Sequence, residues 1–88
     1  MQILWDNGKN NKLIAERGLS LETFASLILE KKYCAILKNP SRMEQKIFVN
    51  PYQNYTYVVP FTVDKSQNIV LKTVFPSRKY HKMYGGKK

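Results

Sequence analysis

Hydrophobic positions fall in short clusters along this chain, and their spacing changes twice. Residues 2–5 (Gln-Ile-Leu-Trp) form a brief apolar run that predicts a first strand. In the polar stretch that follows, Asp6 or Asn7 can cap a helix running through Arg17, with Gly18 at the usual post-helix position. The apolar residues of that helix are mainly Leu13 and Ile14, so it should lie on the surface. Ser20 is the next cap, with Glu22 in the first turn where a negative charge suits the helix dipole. Leu21, Phe24, Leu27 and Ile28 then recur at helical spacing and make one apolar face, ended by Glu30, Lys31 and Lys32.

From here the period shortens. Tyr33 to Leu37 predicts a strand closed by the Asn39-Pro40-Ser41 turn, and Lys46 to Val49 a second closed by Asn50-Pro51. Tyr55 to Val63 is a third, in which Tyr55, Tyr57, Val59, Phe61 and Val63 share one face. Pro60 inside it demands a bulge or a free edge. A polar hairpin turn over Asp64 to Asn68 leads into a fourth strand, Ile69 to Phe75. Pro76-Ser77 starts a final short helix, with Tyr80, Met83 and Tyr84 on an apolar side and Arg78, His81 and Lys82 on another. Trp5 is expected beneath the sheet, Tyr57 in the core, and Cys34 as a small buried strand residue.

The order β-α-α-β-β-β-β-α defines an α+β fold. Two N-terminal helices and a short C-terminal helix should pack on a curved, mainly antiparallel sheet of four to five strands. The 88 residues suit one small domain, residues 1–84, followed by a basic tail at 85–88. One cysteine and one histidine exclude a disulfide framework and a cysteine-based zinc site, so no metal or other cofactor is expected. No apolar run is long enough to span a membrane, and the first residues lack a signal-peptide pattern. With a free thiol, this points to a reducing cytoplasm.

Charge narrows the class. The net charge of +9 is divided unevenly, +2 over residues 1–45 and +7 over residues 46–88, and Asp64 is the last acid. Such an imbalance calls for an anionic partner: RNA, DNA or an acidic protein. The later strands and terminal helix should then share one basic surface.

Certain residues carry a family resemblance. Trp5-Asp6, Lys9-Asn10, Lys12, and Glu16-Arg17-Gly18-Leu19-Ser20 leading into Phe24 are similar to the N-terminal signature of BrnT-type toxins. Pro76-Ser77-Arg78-Lys79, continuing to Tyr84, resembles the closing strand and helix start of that family. Arg17 stands where many members carry histidine. The resemblance implies a bacterial type II toxin with a RelE-like fold, a ribonuclease that blocks translation. It also implies neutralisation by a cognate antitoxin, in a complex of two copies of each. Contact with operator DNA would come only through the antitoxin.

RNA cleavage without metal requires a base for the 2′-hydroxyl proton, cations around the phosphate, and an acid for the 5′ leaving oxygen. Arg78, at a helix start, offers a fork that suits phosphate. Lys46 and Lys72 are expected in strands on a wet, basic face, and desolvation of either lysine would favour a role as base. His81 is the natural proton carrier, and Tyr84 can donate a proton or stack on a base. Lys79, Lys82, Lys9, Lys12 and Arg17 would extend the RNA footprint. A non-catalytic nucleic-acid-binding module, or a protein that only holds a partner, would share the same charge distribution.

Overall fold

The computed structural model describes residues 2–85. Its N-terminal half follows the capping signals closely. Strand β1 (Ile3–Trp5) leads into helix α1 (Asn7–Arg17). The Asp6 side chain accepts a hydrogen bond from the Lys9 N–H, and Gly18 closes the helix at φ 66°, which glycine adopts without steric cost. In helix α2 (Leu21–Leu29) the Ser20 hydroxyl accepts from the N–H groups of Glu22 and Thr23. The two helices are joined by a buried bond: Asn10 Oδ1 accepts from the Leu21 N–H at 2.7 Å.

Strands β2 (Ala35–Lys38), β3 (Lys46–Tyr52), β4 (Tyr55–Val63), β5 (Ile69–Leu71) and β6 (Phe75–Pro76) complete the sheet. Its order is β1-β5-β4-β3-β2, with β6 pairing β4 beyond β5. Only β1 runs parallel to its neighbour, so the sheet is mixed but mainly antiparallel. A short helix α3 (Arg78–Tyr80) follows Ser77 and widens into a π-helical turn over His81–Gly85.

Two prolines explain how the strands depart from expectation. The Asn50-Pro51 pair does not end β3, which continues to Tyr52 and turns at Gln53-Asn54. In a two-residue hairpin the flanking pair, Tyr52 and Tyr55, is hydrogen-bonded, so Pro51 opposite Thr56 faces away from β4. There the β2 ladder has already stopped at Ala35 and Val49, and the missing N–H of Pro51 disrupts no pairing. The same alternation turns Pro60 away from β3 and toward the expected fourth strand. That strand is broken. Val59 and Pro60 face three residues, Lys72 to Val74, and the pairing register shifts by one between β5 and β6. The bulge that Pro60 requires is therefore on the neighbouring strand, and it places Lys72 outside any strand.

Both faces of the sheet are covered. On one, Leu13, Leu21, Phe24 and Ile28 of the helices bury Phe48, Val59, Phe61, Leu71 and Val74, with Trp5 and Tyr57 packed at the margin. Phe48 and Phe61 stack with ring centroids 4.3 Å apart. On the other, Ile47, Val49 and Val58 are covered by Tyr80 and Tyr84 of the terminal segment. This second cluster accounts for the burial of Val58, which, like the buried Thr56 and Pro60, alternates with the helix-facing residues of β4. Cys34, expected to be buried, is exposed just before β2, and Met83 is turned outward rather than packed beside Tyr80 and Tyr84.

Candidate functional site

Helix α1 presents Lys9, Lys12, Glu16 and Arg17 at intervals of three, four and one residues, on the side that Leu13 anchors to the core. These side chains line a cleft of about 730 Å³. Its opposite wall is the loop between β2 and β3, which supplies Arg42, and its floor is the β5–β6 break, which supplies Lys72. Five cations thus converge with one carboxylate, Glu16. The one ion pair among the described residues, Lys32 to Glu30, lies on the surface at 3.3 Å and engages none of them. A concave surface of that sign raises the local concentration of polyanions.

A second recess lies at the far end of the β3–β4 hairpin, about 20 Å along the strands from the first at the usual rise per residue. Its volume is about 450 Å³, and Tyr52, Gln53, Asn54, Tyr55, His81 and Gly85 contribute to its lining. The half-buried His81 ring stacks on Tyr55, with centroids 4.3 Å apart and planes inclined by 27°. Its Nδ1 lies 3.0 Å from the hydroxyl oxygen of Thr56, which is itself buried. Gly85 approaches so closely that a Cβ there would overlap both His81 and Thr56. The histidine is held in place from three sides.

The side chains singled out in the sequence therefore separate. Lys9, Lys12, Arg17 and Lys72 meet in the basic cleft, joined by Arg42, which the sequence reading passed over. A turn-rich loop gives no periodic signal, and only folding brings it opposite α1. His81 belongs to the aromatic recess, whereas Arg78, one helical turn before it, is exposed. Lys79 is also exposed, its Nζ 5.2 Å from the Tyr80 ring centroid, as are Lys82 and Lys46. Tyr84 packs over Ile47, Val49 and Val58. The basic surface also differs from expectation. Four of the five cleft cations come from residues 1–45, the less charged half: three from α1, and Arg42 from the loop between β2 and β3.

Among the described residues no three potential ligands gather as a metal site, and no helix is long and apolar enough to cross a membrane.

These observations define a small α+β protein with two helices on one sheet face, an aromatic-bearing terminal helix on the other, and a basic cleft at the margin. Its fold is that of the ribonuclease toxin BrnT of Brucella abortus. The crystal structure of that protein matches with a TM-score of 0.64 over 88% of this chain and 96% of its own, at 22% sequence identity. A likeness at that identity speaks for the fold, and it bears out both the α+β architecture and the BrnT-type fold that the resemblance implied. No family model and no curated protein sequence matches the chain.

Proposed function

We propose that this chain is the toxin of a toxin–antitoxin pair and a metal-independent endoribonuclease that cleaves mRNA and inhibits translation in the cytoplasm. The observation that carries this reading is the basic cleft, set in the fold of a ribonuclease toxin. Lys9, Lys12, Arg17, Arg42 and Lys72 hold the RNA backbone, with Lys46, Lys79 and Lys82 extending the track. Arg78 and His81 are three residues apart on the terminal helix, a spacing that makes side chains neighbours. His81 moves the proton as the 2′-oxygen attacks phosphorus and the bond to the 5′-oxygen breaks, while Arg78 takes up the growing phosphate charge. The packing of Tyr84 supports the helix that carries both. A cognate antitoxin would cover the basic cleft, in a complex of two toxins and two antitoxins.

The test is incubation of the purified protein with RNA in excess chelator. New 5′-hydroxyl ends are expected, and their loss in Arg78→Ala and His81→Ala. Binding without cleavage would identify a non-catalytic nucleic-acid-binding module instead. Growth arrest on expression, relieved by a co-expressed neighbouring gene, is expected if the partner is an antitoxin.

A further inference from the structure

The two concavities differ in chemistry. The cleft beside α1 is lined by five cations and suits phosphate. The recess at the β3–β4 hairpin contains no Lys, Arg, Asp or Glu among its described lining residues. It offers instead two tyrosine rings, an imidazole, and the amide side chains of Gln53 and Asn54. Flat π-faces below and paired hydrogen-bond donors and acceptors at the rim match an unsaturated planar heterocycle, not a phosphate.

The details of the recess support such a ligand. The Tyr55–His81 stack is held rigid by the Thr56 hydroxyl and by the backbone at Gly85, so little ordering is left for a ligand to impose. Tyr57 stands edge-on to both Tyr52 and Tyr55, at 5.8 and 6.1 Å, and ties both rings to the core. At the hairpin tip Gln53 and Asn54 have φ of 50° and 65°. Glycine and asparagine adopt such angles at least cost, so Asn54 suits the turn, whereas Gln53 carries its side-chain amide at a position the backbone would more readily give to either. Both amides are exposed beside the half-buried rings.

We infer that this recess is a nucleobase subsite, in which one unstacked base of an RNA packs on the Tyr55–His81 stack while the Gln53 and Asn54 amides meet its edge. The inference rests on the ribonuclease reading and adds to it a source of base preference, since His81 belongs both to the recess and to the helical turn that carries Arg78. RNA would span the molecule, its backbone in the cleft and one base splayed into the recess.

Short 2′-O-methyl oligoribonucleotides, which resist cleavage, provide the test. One set carries a single 2-aminopurine, and a matched set has an abasic ribose at that position. Fluorescence quenching on binding is expected, with the abasic oligonucleotide bound about tenfold more weakly, as for loss of one base–aromatic stack. Tyr55→Leu should remove that difference without changing abasic affinity. Asn54→Gly, which suits the turn and preserves folding, should alter the preference among the four bases. In the wild-type protein, the His81 ring protons should shift in NMR spectra with the intact oligonucleotide and not with the abasic one. Equal binding of the two sets, with no quenching and no shift at His81, would overturn the subsite and leave the ribonuclease reading standing. Failure of both sets to bind would overturn the ribonuclease reading itself.

Discussion

The Thr56 hydroxyl and the His81 imidazole lie 3.0 Å apart, one on the central strand and the other on the terminal turn. The contact is a side-chain link between the sheet and the segment that carries the proposed proton carrier, beside the backbone bond from the Ser77 N–H to the Thr56 carbonyl. Thr56→Val keeps the shape and removes the bond. Cleavage should fall roughly ten- to a hundredfold, as for misplacement of a reacting group, and the pH–rate profile should change with it. Thr56→Ser should restore both. A wild-type profile in the valine variant would assign Thr56 to packing alone.

Gly85→Ala places a Cβ into His81 and Thr56. Overpacking of this kind should cost about 1–3 kcal/mol of unfolding free energy, measured in denaturant. NMR should show displacement of the His81 ring from Tyr55. Unchanged stability and an unchanged His81 environment would mean that the terminal turn yields freely.

Arg42→Ala and Lys72→Ala act on the cleft and not on the recess. Each should weaken RNA binding uniformly across sequences and lower the slope of log K against log salt by about 0.7, the value for one phosphate contact on a single strand. If Arg42→Ala leaves the salt slope unchanged, the loop between β2 and β3 is not part of the RNA track.

Asn10→Ala removes the acceptor that meets the Leu21 N–H inside the helix pair. A buried donor left unsatisfied costs about 1–3 kcal/mol, and the loss should appear in chemical denaturation. Hydrogen exchange should quicken at Leu21 and across the start of α2.

The turn before β5 supplies a pH prediction. The N–H groups of Asn68 and Ser66 both donate to Asp64 Oδ1 at 2.9 Å, and the Asn68 side chain donates to its other oxygen. The bond from the Asn68 backbone, strengthened by the other two and opposed by desolvation, lowers the Asp64 carboxyl below its ordinary value. A depressed carboxylate stabilises the fold above its unfolded value, near pH 4, and that contribution is lost as pH falls through the lower folded value. Asp64→Ala should reduce the melting temperature at pH 7 and flatten its fall below pH 4. An unaltered acid limb would show that the turn does not couple to unfolding.

Local chemistry was legible wherever it involved neighbours in sequence. Asp6, Gly18 and Ser20 cap the helices from positions readable in the chain, because a cap binds N–H groups or closes carbonyls only two to four residues away. The β4 span from Tyr55 to Val63 was likewise visible in its alternation. Pro51 and Pro60 were harder to interpret, because the effect of a proline in a strand depends on which side carries a neighbour, and that is a property of the sheet.

The sequence by itself determined the α+β order, the helix boundaries and the excess of positive charge, all of which follow from local periodicity and composition. Tertiary structure decided where that charge acts. It brought Arg42 and Lys72 opposite the α1 cations, separated His81 from that cleft, and seated its ring on Tyr55, 26 positions earlier in the chain. Each of these pairings joins residues distant in sequence through sheet register and helix docking. They arise from burying two opposite faces of one sheet, which no local pattern encodes.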